Sequence, residues 1–271
     1  MIEVARTGRA YAASAFRVAR RGAWTRGHEE RVVFVVGSPR SGTSFTARAL
    51  GSQPGFVDLD EVTPLKSAIP RLVGTPDAGR QVRRILERVR TLGLVRGLRG
   101  VEQTPELSYL LNAALTAYPE ATAVHVIRDG RDVVCSLLER GWLADRAAGA
   151  DDARQAYGAH ARFWVEPERR EEFEHAREAR RAAWAWRRYV TAARAVPERT
   201  VELRYEALVA DPLAEADRIA AALDSAPEPL RRAFSQVHDA SLRRWRRDLS
   251  AEQLRDVESE AGELLAELGY L

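Results

Sequence analysis

Several residue types are almost missing from this chain, and their scarcity excludes whole classes of protein. The 271 residues include one cysteine and one methionine, and Lys66 is the only lysine. A lone cysteine, Cys135, excludes an internal disulfide and a cysteine-rich metal site. No apolar run approaches the roughly 20 residues that span a bilayer, and the arginine-rich first residues lack the apolar core of a signal peptide. We therefore expect a protein of the reducing, cytoplasmic compartment.

The composition that is present is typical of a globular protein. Hydrophobic residues make up 45% and charged residues 30% of the chain, with a formal net charge of +3 and a pI of about 9.3. Basic and acidic segments alternate, and no basic stripe is interleaved with aromatic residues. This pattern is compatible with an anionic ligand, but it does not predict nucleic acid as a partner.

Apolar runs and helical patterns alternate along the chain. Residues 31–36 and 122–127 are nearly continuous β-branched runs, which are typical of buried parallel strands. Shorter strand candidates are 56–59, 100–102 and 200–203. Helical patterns between them cover 80–92, 105–117, 177–195 and 212–223. This alternation predicts an α/β fold with a parallel sheet, in one domain over residues 1–271.

Two segments stand apart from this alternation. Residues 3–22, within an N-terminal segment of 1–25, have the pattern of an amphipathic helix. A helix packed on the domain is favoured over one that rests on an anionic membrane or on a partner. Residues 141–180 mix charges with aromatic residues and are interpreted either as a charged surface or as an insertion that contacts an acceptor.

The turn after the first predicted strand is the most informative stretch. Gly37 and Gly42 frame a turn that leads into a predicted helix over 42–50. Backbone N–H groups at such a helix N-terminus form a cradle for an anion. Thr43 stands where nucleoside-triphosphate enzymes place a lysine, and Arg40 supplies a cation inside the loop instead. The turn therefore predicts a phosphate or sulfate site.

Two motifs in this order resemble those of one enzyme family. Residues 38–45 are similar to the 5′-phosphosulfate loop of sulfotransferases that use 3′-phosphoadenosine 5′-phosphosulfate (PAPS). Residues 126–136 resemble their 3′-phosphate motif, in which an arginine, here Arg128, is followed eight positions later by a serine, here Ser136. Weaker similarity extends over 101–105, 204–208 and 243–250, with two departures: Gln103 replaces a lysine and Arg243 replaces a glycine.

The resemblance implies a P-loop-like three-layer fold and a donor site built from two anion sites. PAPS would be the sulfuryl donor and 3′-phosphoadenosine 5′-phosphate (PAP) the product, with no metal required. The residues that the resemblance assigns to the donor are Ser38, Arg40, Ser41, Gly42, Thr43, Ser44, Phe45, Arg128, Ser136, Tyr205, Arg243 and Arg244. Which arginine of 243–247 reaches the 3′-phosphate stays open, and Phe45 is interpreted either as an adenine contact or as a core residue.

An acceptor hydroxyl also needs a general base. Glu61 lies 21 residues after Arg40, a spacing similar to that of the catalytic glutamate of tyrosylprotein sulfotransferases. We therefore predict that Glu61 is the base and that Arg40 stabilises the developing charge. Asp60, Glu102 and His160 are the competing candidates, and an alternative role for Asp60 and Glu61 is to cap a helix.

The resulting prediction is sulfuryl transfer from PAPS to an acceptor hydroxyl, with a carbohydrate or small natural product favoured. Lipid and peptide acceptors stay open, because a shared fold does not identify an acceptor. The alternatives are a nucleoside-triphosphate-dependent small-molecule kinase and a non-catalytic nucleotide-binding protein. The sequence makes no prediction of oligomeric state.

Overall fold

The computed structural model describes residues 2–22, 24–143, 165–239 and 241–271. The strands in these ranges are β1 Val33–Val36, β2 Phe56–Asp60, β3 Arg99–Glu102, β4 Thr122–Ile127 and β5 Thr200–Arg204. The α-helices in the same ranges are α1 Ile2–Arg21, α2 Thr43–Gly51, α3 Thr63–Leu72, α4 Ala78–Leu92, α5 Leu111–Ala117, α6 Gly130–Arg140, α7 Arg170–His175, α8 Glu178–Arg194, α9 Tyr205–Ala210, α10 Pro212–Ala222, α11 Pro227–Phe234, α12 Trp245–Asp248 and α13 Ala251–Glu267. Short 3₁₀ helices span Pro105–Leu110, Pro167–Arg169 and Pro197–Arg199.

The described strands form one parallel sheet in the order β2-β3-β1-β4-β5. All four side chains of β1 are buried, as expected for a central strand covered by helices on both faces. The two faces of β1 feed two apolar clusters, since Phe34 and Val36 belong to one cluster and Val33 and Val35 to the other. The predicted α/β fold, with helices on both sides of a parallel sheet, is confirmed. That residues 1–271 form a single domain stays a prediction.

The predicted elements agree with the structure except in a few places. Predicted strand 122–127 coincides with β4, whereas predicted strand 31–36 begins two residues too early. The prediction of one α-helix over 105–117 is wrong in its first half, which is a 3₁₀ helix. Ser108 there donates to the carbonyl of Pro105 at 2.8 Å, a local side-chain bond of the kind that competes with α-helical pairing.

The predicted insertion over 141–180 falls largely on residues 144–164, which lie outside the described residues. Its last residues belong to a core helix instead, because α8 begins at Glu178. Trp184 and Trp186 of that helix are fully buried. That residues 141–180 form an insertion stays a prediction.

The amphipathic N-terminal helix is present as α1, which packs against β2, α3 and α4. Tyr11, Ala15 and Val18 form its buried face. Among the helices in the described ranges, none has both the length and the apolar character needed to cross a membrane.

Strand β4 contains a fully buried histidine, His125. His125 is fully buried, and neither of its ring nitrogens has a hydrogen-bond partner within the described residues. Glu202 lies beside it with Oε1 4.0 Å from Nδ1, and Arg194 pairs with the same carboxylate at 2.8 Å. Burial, with a smaller contribution from the charge of Arg194, lowers the pKa of His125 to about 3.

We expect this histidine to make the protein acid-sensitive, and His125→Leu to relieve that sensitivity. The unfolded chain binds a proton at a histidine pKa of about 6.5, whereas the folded chain does not until about pH 3. Stability therefore falls as the pH drops below about 6.5, by about 2 kcal/mol at pH 5. Urea unfolding at pH 7.5 and pH 5 should show that the leucine variant loses about that much less than wild type. His175→Gln, at an exposed position, is the matched control and should keep the wild-type dependence; a leucine variant that also keeps it contradicts the prediction.

Candidate active site

The loop between β1 and α2 has a backbone that suits glycine at two positions. Gly37 and Gly42 have φ values of 141° and 99°. A Cβ on Gly37 would lie 2.4 Å from the carbonyl oxygen of Val126, and one on Gly42 would lie 2.7 Å from the ring of Tyr205. These contacts bring β4 and α9 close to the loop. Arg40, between the glycines, also has a positive φ of 72°.

The loop leads into the N-terminus of α2, where an anion would be stabilised. Gly42 caps the helix, and no side chain within the described residues caps its first N–H groups. The hydroxyl of Ser41 is buried and has no hydrogen-bond partner in the same part of the chain. An unpaired buried donor beside exposed helix amides is the arrangement expected where a phosphate or sulfate binds.

The second motif meets this loop directly. The Nε of Arg40 donates to the Oγ of Ser136 at 2.9 Å, although the two residues are 96 positions apart. Nη1 of Arg128 donates to the carbonyl of Arg40 at 3.1 Å. The buried Nε of Arg128 has no partner among the described residues. The structure therefore brings the two predicted anion motifs together and leaves a guanidinium donor unused between them.

A C-terminal segment closes over the second motif. Arg128 donates to the carbonyl of Ser241, and Asp132 accepts from the backbone N–H groups of Arg243 and Trp245 at 2.8 Å and 3.1 Å. Burial raises the pKa of Asp132, and these two N–H groups counteract that rise. Arg243 has a φ of 55°, so the arginine occupies a left-handed conformation that favours glycine.

The arginines of this segment differ in how they are engaged. Arg244 pairs with Glu139 and, at 2.8 Å, with Asp248. The exposed guanidinium of Arg243 makes no hydrogen bond or ion pair within the described ranges. Arg243 is therefore better placed than Arg244 to receive an additional anion.

The two aromatic residues predicted to contact the sulfuryl donor, Tyr205 and Phe45, have different surroundings. Tyr205 is buried against Gly42 and under the guanidinium of Arg128, 5.1 Å from its ring centroid. Its hydroxyl donates to the carbonyl of His238 at 2.9 Å. Phe45 is half-buried and stacks on Phe234 with centroids 6.2 Å apart. Phe45 thus packs on α11 and keeps part of its surface exposed.

A cavity of about 320 Å³ opens beside the loop, where α1, the end of β2 and the start of α2 meet. Ser44 lines it from the loop side, and Asp60 and Glu61 line it from the end of β2. Gln103 joins the two sides, since its side chain contacts the hydroxyl of Ser44 and Oδ1 of Asp60, each at 3.3 Å. A hydroxyl in this cavity would lie between the anion loop and the acidic residues.

The candidate bases differ in their hydrogen-bond partners and in their burial. Glu61 accepts from Nζ of Lys66 at 2.6 Å, and that ammonium also lies 3.9 Å from Glu106. Asp60 has one oxygen on Gln103 and the other on Arg21, at 3.2 Å. Glu102 is fully buried, and burial raises its pKa to about 8, which disfavours its ionised form at neutral pH. His160 lies outside the described residues.

The helix-capping alternative for Asp60 and Glu61 is wrong. α3 begins at Thr63, and Val62 is its N-cap. Sequence reasoning also missed Lys66 and Asp132 as parts of the site. The only signal for Lys66 was its rarity, and Asp132 was hidden among the other charges of its motif.

The fold and the candidate site together describe an α/β protein. Its predicted phosphate loop lacks the lysine of nucleoside-triphosphate enzymes and contacts a second predicted anion motif. A model of the sulfotransferase family matches residues 97–229. Just under half of the chain thus matches the sulfotransferase family, and the enzyme class predicted from the sequence is confirmed.

Solved structures share this fold at low sequence identity. The sulfotransferase domain of the curacin biosynthetic pathway has 13% identity and a TM-score of 0.54, covering 88% of this chain and 98% of that domain. The sulfotransferase domain of the olefin synthase from Synechococcus PCC 7002 has 16% identity and a TM-score of 0.50, with coverages of 89% and 98%. A sulfotransferase from Mycobacterium avium has 14% identity and a TM-score of 0.52, with coverages of 89% and 77%. No curated protein sequence matches the chain.

Proposed function

We propose that this chain transfers the sulfuryl group of PAPS to the hydroxyl of a carbohydrate or small natural product, with Glu61 as the general base and PAP as the product. In this reaction the acceptor oxygen forms a bond to sulfur, and the bond from sulfur to the 5′-phosphate oxygen breaks. The acceptor proton passes to the Glu61 carboxylate, and the negative charge of the leaving group develops on the phosphate oxygen. The donor supplies the activated sulfuryl group, and the chain supplies binding, orientation and charge stabilisation.

The observation that carries the proposal is the contact between the two anion motifs. A donor with a 5′-phosphosulfate and a 3′-phosphate needs two anion sites at a set separation. Arg40 belongs to the loop and bonds Ser136 of the second motif, while Arg128 bonds the backbone of Arg40. The unpaired Ser41 hydroxyl and Arg128 Nε are donors that two such anions would satisfy.

The remaining donor contacts follow from the same arrangement. Loop amides with Ser38, Thr43 and Ser44 would hold the 5′ group, and Arg128, Ser136 and Arg243 would hold the 3′-phosphate. The adenine would lie near Tyr205 and Phe45. Arg244 is already paired with Glu139 and Asp248. We therefore favour Arg243 over Arg244 as the C-terminal arginine that binds the 3′-phosphate.

The acidic end of β2 would receive the acceptor. Glu61 lines the cavity next to Ser44, so a hydroxyl bound there can reach both a carboxylate and the loop. Lys66 holds the carboxylate of Glu61 in place. Asp60 is less suited to remove a proton because Arg21 and Gln103 occupy its two oxygens.

Calorimetric titration with PAP, and with ATP and Mg²⁺ in parallel, tests the donor site. We expect wild type to bind PAP, and Arg128→Ala to weaken that binding tenfold or more because a buried charged partner of the phosphate is lost. Ser136→Ala should weaken it less, and Arg255→Gln, exposed on α13, should leave it unchanged. Failure of wild type to bind PAP contradicts the proposal. Tighter binding of Mg-ATP than of PAP also contradicts it and favours the kinase alternative. Tight PAP binding without transfer to any acceptor favours the non-catalytic alternative.

A further inference from the structure

Each carboxylate that lines the cavity beside the loop pairs with a cation, and Asp58 and Asp60 share one. Arg21 bonds both Asp58 and Asp60, at 2.8 Å and 3.2 Å. Glu61 pairs with Lys66, which approaches the cavity wall from the buried side of α3. Each acidic group that lines the cavity therefore has a positively charged partner.

Two other arginines, Arg17 and Arg48, line the same cavity and make no ion pair with a carboxylate in the described ranges. Nη2 of Arg17 makes three contacts of 3.3 Å, all to neutral oxygens: the Ser14 hydroxyl, the Glu61 carbonyl and the Thr63 hydroxyl. Its Nε is buried and has no acceptor in the described chain. Arg48 is exposed on α2, and its single hydrogen bond among the described residues runs from Nε to the carbonyl of Ser44 at 3.1 Å.

The cavity lining holds three arginines and three carboxylates, so Arg17 and Arg48 contribute unused guanidinium donors at a defined place and no excess of charge. Arg17 contacts the backbone of Glu61, and Arg48 contacts the backbone of Ser44, so they lie on the two sides of the point where an acceptor hydroxyl would sit. Guanidinium groups with unused N–H donors are suited to bind a carboxylate or a phosphate. A partly enclosed cavity strengthens such a contact relative to open water.

We propose that the acceptor of this enzyme is an anionic alcohol or phenol, whose carboxylate or phosphate is bound by Arg17 and Arg48 while its hydroxyl faces Glu61. This inference rests on the proposed function, since it assigns the acceptor class of the same site. Arg17 would also orient the loop that carries Glu61, whereas Arg48 makes no hydrogen bond or ion pair to that residue within the described ranges. The two arginines are specificity determinants and leave the donor site unchanged.

Matched pairs of hydroxyl compounds test this inference on the PAP-loaded protein. The carboxylate pair is 4-hydroxyphenylacetate with 4-hydroxyphenylacetamide, and the phosphate pair is glucose 6-phosphate with glucose. Calorimetry should show the charged member of at least one pair binding tenfold or more tightly than its neutral twin. Arg17→Gln and Arg48→Gln should each reduce that preference about tenfold by removing charge-assisted hydrogen bonds. Binding of the neutral twins should not change, and the carboxylate and phosphate pairs distinguish the two anions.

Controls separate this inference from the proposed function. Arg255→Gln should keep the full preference, and both test variants should keep wild-type affinity for PAP. Equal binding of charged and neutral members in both pairs, no binding of any member, or a preference that survives both substitutions overturns the inference. A loss of PAP affinity in the Arg48 variant also overturns it, because the arginine would then serve the donor. Failure of wild type to bind PAP contradicts the proposed function alone, since the same pairs can be titrated without PAP.

Discussion

Glu61→Gln should lower kcat for sulfuryl transfer by about 10²–10⁴-fold, which is the usual contribution of a general base. Glutamine keeps the size of the side chain and can still contact Lys66, but it cannot accept the acceptor proton. The loss should appear in kcat with PAP affinity unchanged, because Glu61 lines the cavity that we propose for the acceptor and is not among the residues that we propose for PAP. Initial rates with saturating PAPS, and PAP titration of the same variant, measure the two effects.

Two further substitutions decide whether Glu61 acts chemically or structurally. Lys66→Met removes the 2.6 Å partner of Glu61 and keeps the carboxylate. If Glu61 only neutralised this buried ammonium, Glu61→Gln would cost little further activity in a Lys66→Met background. Asp60→Asn removes the competing carboxylate and should cost much less activity than Glu61→Gln. Near-normal turnover of Glu61→Gln with a large loss in Asp60→Asn would transfer the role to Asp60.

Arg40→Ala should lower kcat by about 10²–10³-fold, comparable to the removal of one preorganised charge-stabilising donor in other group-transfer enzymes. Arg40 is the cation of the loop, and charge develops on the oxygen between sulfur and phosphorus as the bond breaks. A cation there stabilises the transition state more than the bound donor. Single-turnover rates with saturating donor should therefore fall further than PAP affinity.

Variants that change the contact between Arg40 and Ser136 serve as comparisons for Arg40→Ala. Ser136→Ala removes the acceptor of the 2.9 Å bond from Nε of Arg40 but keeps the charge, so it should reduce kcat less. Arg40→Lys should be intermediate, since lysine keeps the charge and loses the planar fork of donors. Thermal unfolding should show that each variant is folded. An Arg40→Ala protein with kcat within about threefold of wild type would exclude the arginine from the chemical step.

The parts that could be predicted from the sequence are those in which neighbouring residues act together. β1 and β4 were predicted because continuous apolar runs are buried on both faces of a parallel sheet. The anion loop was predicted because a turn framed by Gly37 and Gly42 follows a strand and precedes a helix, and both glycines have positive φ in the structure. The second motif was predicted from its resemblance to the 3′-phosphate motif of sulfotransferases, whose arginine and serine positions are filled by Arg128 and Ser136.

The tertiary structure alone decided which distant residues meet. No local pattern places α1 on β2, yet this packing brings Arg17 and Arg21 into the cavity beside Glu61. The pairing of Lys66 with Glu61 and the hold of Asp132 on the backbone of the C-terminal segment likewise depend on how whole helices pack. Strand order has the same origin, because apolar runs of similar composition do not encode which neighbour each will pair with. The sequence by itself thus determined the elements and predicted the two anion motifs, whereas packing determined the cavity that we propose for the acceptor and the charged groups that line it.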